Sequence, residues 1–380
     1  MKCVDLHSDR IGHQILVLAR ALLPLIAVGG HCISALGSTL EDAAAAAVPG
    51  SWVVLNQQGD GSGYGYELLK ACGAGGGDCG DNILNYADKG LWSPSAREIH
   101  FLGKGAGGRE FKFISYSESS NTWVREAKPY WDQSPSGTTY GHGYEHSAVD
   151  PARGDVYWRN YNSTDVFKWA RATKSWFQLS AAPNPAVAAA IEYFPDRAGL
   201  LLVGGGSVHF YTATGNSWTR AAQGLAMGGY HNVAVYNPVR KLVVFGGGNG
   251  SRSLYAMNAS GEIRPLPVAP VDVAVNSSIL TVDPASGQLL LFGSNGSFHE
   301  FDFARGSWRT LESANVPIFN GSSNQVEYRV AVPISTHGVI AILTFDGRAG
   351  NRVYLYRHSP SPPTGIDRTP PLPPTNVRVD

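Results

Sequence analysis

Three histidines, several tyrosines and two arginines fall at matching places along this chain, and they are the residues most able to do chemistry. One segment reads Tyr140-Gly-His142-Gly-Tyr144-Glu145-His146, a second Tyr230-His231-Asn232, and a third Glu327-Tyr328-Arg329. Imidazoles act as acid or base near neutral pH. Tyrosine faces stack on sugar rings, and arginine pairs carboxylates through two parallel bonds. Gathered at one opening, they suit a polysaccharide or glycan ligand, with Arg159 and Arg329 as partners for an acidic one. The ligand-binding set is therefore Tyr140, His142, Tyr144, Glu145, His146, Arg159, Tyr230, His231, Tyr328 and Arg329. A catalytic alternative is polysaccharide lysis, in which an arginine or histidine neutralises a uronate and a tyrosine or histidine takes the α-proton. His146, Tyr230, His231 and Arg329 are the candidates for those roles. Hydrolysis would need two paired carboxylates; Glu145, Glu192 and Glu327 lie near these segments, but no pairing is legible.

What could bring these segments together is a repeat. Ser51-Trp52, Thr122-Trp123, Ser175-Trp176, Ser217-Trp218 and Ser307-Trp308 each open a short segment that ends in Leu or Ala, and Ile263 stands in the Trp place of a degenerate sixth. From Trp123 the intervals are 53, 42, 45 and 45 residues. Seven residues before four of these Trp lies another aromatic: Tyr116, Trp169, Tyr211 and Phe301. Upstream, a Pro turn (Ser93-Pro94, Asp150-Pro151, Phe194-Pro195, Asn237-Pro238, Asp283-Pro284) precedes a run such as Leu200–Val203 or Leu242–Phe245. Pro fixes φ and Asx side chains bond their own backbone, so these are turns between strands. Each unit resolves into four strands, and repeats of this length made of four strands predict a β-propeller.

The last unit supplies only three strands, and Ser51–Leu55 is a fourth strand with no unit before it. The N-terminal strand is therefore expected to complete the C-terminal blade, leaving no open edge. The predicted fold is all-β, a six-bladed propeller of four-stranded antiparallel blades over residues 51–358. Residues 56–81 form a Gly-rich insertion, with a seventh blade the alternative.

The hydrophobic run, Gly doublet (Gly204-Gly205-Gly206, Gly246-Gly247-Gly248), aromatic and Trp seven residues on resemble kelch repeats. That resemblance implies the galactose-oxidase-like superfamily, whose propellers serve as enzymes and as binding scaffolds alike. A copper-radical site of that kind would need two Tyr, two His and a Cys crosslinked to one Tyr. No cysteine stands free in a blade, so no cofactor is expected, and a copper-radical oxidase is the less favoured alternative function.

Composition agrees with a sheet protein. Gly numbers 45, Trp, Tyr and Phe together make 11%, and only 16% of residues are charged, with 30 basic against 30 acidic. Such a chain lacks the basic field of a nucleic-acid binder and the charge excess of a disordered one. Residues 1–37 read as a signal peptide, with the apolar run Ile15–Gly30 after Lys2 and Arg10. Its removal would leave no membrane span and a secreted or periplasmic protein. Cys72 and Cys79 are then expected to pair, closing a small loop worth about 2–3 kcal/mol. Residues 359–380 read as a Pro-rich linker and the start of a fibronectin type III-like domain. The expected role is a glycan- or protein-binding module of a multidomain extracellular protein.

Overall fold

The computed structural model describes residues 39–55, 66–72, 80–105, 110–127, 129–132, 142–183, 187–347 and 351–360. The chain divides into two units, Met1–Ala35 and Leu36–Asp380; the first lies outside the described residues, and with it the expected signal peptide. The fibronectin-like stretch lies almost wholly outside them too.

Six four-stranded antiparallel sheets make up the second unit. Blade 1 is Leu91–Ser93, Glu98–Lys104, Phe111–Ser117 and Thr122–Arg125; blade 2 is Ser147–Val149, Val156–Arg159, Val166–Ala170 and Ser175–Gln178. Blade 3 is Ala190–Phe194, Gly199–Gly204, Ser207–Thr212 and Ser217–Ala222; blade 4 is Asn232–Asn237, Leu242–Gly247, Leu254–Asn258 and Ile263–Pro265. Blade 5 is Ser278–Val282, Leu289–Gly293, Phe298–Asp302 and Ser307–Leu311. Blade 6 is Arg329–Ile334, Val339–Thr344 and Val353–Arg357, completed by Ser51–Val54. The first strands of successive blades adjoin all the way round, blade 6 meeting blade 1. This is a closed six-bladed propeller with the first strands innermost.

Closure is achieved as the sequence predicts. Trp52 faces Tyr356 and Val54 faces Tyr354 across the seam. The seven-residue spacing has a simple cause: it is the cross-strand distance over the hairpin between third and fourth strands. Tyr116 pairs with Trp123, Trp169 with Trp176, Tyr211 with Trp218 and Phe301 with Trp308. These outer Trp also reach the preceding blade. The Trp218 indole donates to the Ser180 carbonyl, the Trp308 indole to that of Pro267, and Trp52 lies 6.2 Å from Phe292. Second strands are buried on both faces, which is why they read as unbroken apolar runs. The Asx turns form as expected: Asp150 and Asp283 accept from the backbone two and three residues on, and Asn237 from Arg240.

In blade 4 the glycine triplet is obligatory. Gly246, Gly247 and Gly248 have φ of 141°, 63° and 102°, and a Cβ on Gly247 would sit 2.0 Å from the Val273 carbonyl oxygen.

Two elements were not foreseen. Leu40–Ala46 is an α-helix opened by a Thr39–Asp42 capping box. Its Leu40, Ala43 and Ala44 enter the core, and the buried Arg357 guanidinium caps its last carbonyls at Ala44 and Ala47. Within the insertion, Tyr66–Leu69 forms a helical turn, and Lys70–Ala71 pairs with Asp81–Asn82. Among the described residues this hairpin is all that stands in place of a seventh blade. Cys79, and so the expected pairing with Cys72, lies outside the described residues. No described helix is long and apolar enough to cross a membrane.

Candidate functional site

The loops that lead into the inner strands share one backbone peculiarity. Tyr86, Tyr144, His231, Asn276 and Tyr328 stand just before the inner strands of blades 1, 2, 4, 5 and 6, and all have positive φ, between 41° and 66°. Left-handed backbone at a bulky residue is costly and persists only where surroundings enforce it. In blades 1, 2 and 4 the side chains so held, Tyr86, Tyr144 and His231, come together.

Blades 1, 2 and 4 build a continuous aromatic cluster there. The Tyr144 ring lies 5.6 Å from His142, 5.3 Å from His231, 6.4 Å from Tyr86 and 6.3 Å from Tyr230. Tyr161 stacks on it at 5.6 Å. Tyr86 meets His142 at 4.7 Å and His231 at 5.8 Å, and Tyr230 meets His231 at 3.9 Å. The Tyr144 and Tyr230 hydroxyls are 3.3 Å apart. Tyr144 is buried as the floor, while Tyr86 is 37% exposed at the rim.

The imidazoles in this cluster are neutral at physiological pH. Burial lowers His142, and burial lowers His231 to about 4 against the help of its Asn249 hydrogen bond. His231 Nδ1 donates to the Asn249 side-chain oxygen at 2.9 Å, which leaves Nε2 with its lone pair. Nε2 of His231 and Nδ1 of His142 are buried and have no hydrogen-bond partner among the described residues. Burial also pushes the Tyr144 phenol well up, and raises Tyr328 to about 12, with the charge of Glu327 adding to it.

The remaining predicted residues lie elsewhere. His146 is fully buried beneath the mouth. Its Nε2 faces Arg159 Nη1 at 3.2 Å, and burial, then the charge of Arg159, holds it well below the ordinary range. Arg159 is equally buried and also bonds the Ser163 carbonyl. Arg329, 1% exposed, donates to the carbonyls of Ile318, Glu327 and Tyr328 and pairs with Asp346. Both arginines thus tie loops to blades and present no cation to the mouth. Tyr328 is part-exposed on the blade 6 side. Tyr140 lies outside the described residues.

Glu145 points down the channel and belongs to a buried charge cluster. Lys89 Nζ lies 2.7 Å from Glu145, 3.2 Å from Glu192, 2.7 Å from the Ile191 carbonyl and 3.4 Å from that of Ala234. The segment carrying Lys89 pairs in parallel with Ala331 of blade 6. One side chain therefore spans the channel between blades 6, 3 and 4 and the loop before blade 2. Burial alone would lower the Lys89 ammonium, but Glu145 and Glu192 outweigh it and the net direction is up. Burial raises Glu192 to about 7 despite Lys89. Burial, then the charge of Glu145, keeps Asp88 well above the carboxylate range.

Tyr86, Tyr161, Asn249 and Lys89 join these clusters without standing out in the sequence. Tyr86 had a usable signal, since an aromatic also stands ahead of the inner strand at Tyr144, Tyr230 and Tyr328.

No protein-family model matches the chain, and no curated protein matches it. Among solved structures it is similar to a novel fungal alcohol oxidase of the AA5 family determined in complex with copper, with 13% identity and a TM-score of 0.48. The similarity covers 72% of this chain and 62% of that one, so this chain spans less than two thirds of the other's length.

Proposed function

We propose that the channel mouth is a carbohydrate-binding site, and that the propeller serves as a binding module of a secreted, multidomain protein. The observation that carries this reading is the uncharged ring cluster of Tyr86, His142, Tyr144, Tyr161, Tyr230 and His231, delivered by loops of three blades. Sugar C–H faces lie on such rings, while phenol and imidazole nitrogen or oxygen atoms meet the hydroxyls. The apolar run near the N-terminus and the Pro-rich C-terminal stretch support the secreted, multidomain setting. Lysis of an acidic polymer is less well supported, because Arg159 and Arg329 are engaged in buried bonds. A glycan array on the whole chain tests the binding reading. Titration of the best-bound glycan against Tyr86→Ala should show affinity falling about tenfold or more. An array with no bound glycan would overturn it.

A second reading is metal binding, favoured by the two unpartnered ring nitrogens of His142 and His231 beside Tyr144 and Tyr230. Those four side chains would hold the ion, and copper there would supply one-electron redox chemistry. The fit is incomplete: among the described residues no three His, Cys, Asp or Glu side chains are arranged to hold a metal, and burial disfavours the Tyr144 phenolate. Elemental analysis after copper loading and desalting should find well under one copper per chain. One full equivalent, lost in His231→Ala, would favour the metal instead.

A further inference from the structure

We propose that the end of the channel opposite the mouth binds an acidic polysaccharide, through arginines carried on the inner turns of blades 2, 3 and 4. This surface is independent of the carbohydrate reading of the mouth.

The mouth lies where the chain enters the inner strands, so the turns that leave those strands stand at the far end of the channel. Three consecutive turns place an arginine two residues after their proline: Pro151 and Arg153, Pro195 and Arg197, Pro238 and Arg240. Lys241 adjoins the last of these. Lys174 sits in the hairpin between the third and fourth strands of blade 2, at the same end. In the other blades the place is not cationic or is spent. Arg97 of blade 1 is held by Glu118 at 2.8 Å, blade 5 has Ser286, and His337 of blade 6 also meets Glu118. The available cations therefore gather on one side of the far end.

Arg153, Lys174, Arg240 and Lys241 are exposed and Arg197 is half-buried. Among the described residues the side chains of Arg153, Lys174, Arg197 and Lys241 have no ion-pair partner. The Arg197 guanidinium lies 4.2 Å over the Phe210 ring, and that of Arg240 lies 4.4 Å over Phe303. Stacking holds a planar cation by its face and leaves its N–H edge for a carboxylate, which an arginine fork meets with two parallel bonds. Arg240 spends its Nε on the Gly287 carbonyl and keeps its outer nitrogens.

Acidic groups at this end do not cancel the field. Asp196 and Glu262 are exposed, accepting from Tyr236 and Asn258. Asp302, whose charge reaches Arg240, faces Arg305 at 3.6 Å. Asp150 and Asp283 are buried inside their turns. Five basic side chains thus stand against two exposed acidic ones. Packed sheets lie about 10 Å apart, so cations on three successive blades match a polymer of sugar acids rather than a single one. A lipid surface fits less well: Val239 is the exposed large apolar residue on these three turns, too little to enter a bilayer.

The test is calorimetric titration of the whole chain at pH 7 and low salt with three probes: a galacturonate dodecamer, its methyl-esterified counterpart and phosphatidylglycerol vesicles. The acid should bind at least about tenfold more tightly than the neutral ester, and the advantage should shrink as salt is raised. Replacing Arg153, Arg197 and Arg240 together with Gln should weaken binding of the acid about tenfold. Arg125→Gln, Arg220→Gln and Arg252→Gln combined remove the same charge from two outer strands and the mouth end, and should leave binding within about twofold. Melting temperatures check folding. Should the first triple variant unfold, Arg153→Gln alone, on an exposed and unpaired side chain, should still cost about twofold. Equal losses in the two triple variants would overturn the proposal, because net charge and not this surface would carry the binding. No binding of the acid, or equal binding of the ester, would overturn it too. Tighter binding of the vesicles than of the dodecamer would overturn it in favour of a lipid surface.

Discussion

Replacing Lys89 with methionine is expected to destabilise the protein by about 3–5 kcal/mol, because it strands Glu145 and Glu192 in the channel without their cation. The cost comes less from the lost attraction than from charges left buried and uncompensated. The lysine also caps the carbonyls of Ile191, beside Glu192 in blade 3, and of Ala234 in blade 4, and those acceptors lose a donor. Equilibrium urea unfolding measures the effect. Adding Glu192→Gln to Lys89→Met should restore part of the loss, since a neutral amide is cheaper to bury than an unpaired carboxylate. A loss below about 1 kcal/mol in the single variant would mean that the cluster does not hold the blades together.

The second large effect is on the pH dependence of stability. Burial raises folded Glu192 from the ordinary 4.5 to about 7. Its contribution is therefore fully present below pH 4.5 and is lost as pH rises through about 7, a change of about 3 kcal/mol. The buried imidazoles act in the opposite sense. His100 is lowered from 6.5 to about 3 by burial and then by the charge of Arg171, so its contribution is present above pH 6.5 and is lost on acidification. By pH 4.5 that loss is about 2–3 kcal/mol. His146 and His231 shift the same way. Stability should consequently fall from pH 7 to pH 4.5, with Glu192 opposing the fall. Glu192→Gln removes the opposition, so its unfolding free energy should drop about 3 kcal/mol further than that of the parent over this range. Parallel curves for parent and variant would contradict the assignment.

The architecture was legible because it rests on local regularities. A third-to-fourth-strand hairpin fixes Tyr211 against Trp218 at one spacing, and the same spacing recurs in blades 1, 2 and 5. Trp52 revealed closure because it had the fourth-strand signature and no blade ahead of it. The mouth was half legible: His142, Tyr144, Tyr230 and His231 do come together, through loops whose position the repeat already fixes. Arg159 and Arg329 were harder, since an arginine that binds anions and one that caps carbonyls look alike in sequence. Which role applies depends on partners such as Ile318, supplied by a loop from the preceding blade. Lys89 was invisible for the same reason: Glu145 lies in another blade's loop, and Ile191, Glu192 and Ala234 lie more than a hundred residues away. The helix Leu40–Ala46 falls between the stretch read as a signal peptide and the first strand, where no element was expected. Its alanines are also suited to packing under Arg357, a contact only the closed ring creates.

Hydrogen exchange on the whole chain, with and without a saturating glycan chosen from the array, tests the binding site most directly. Added protection is expected only in the backbone around Tyr86–Ala87, His142–His146 and Tyr230–His231, with the outer strands Thr122–Arg125, Ser175–Gln178 and Ser217–Ala222 unchanged. Protection on those outer strands, with none at the three loops, would place the ligand elsewhere and contradict this expectation.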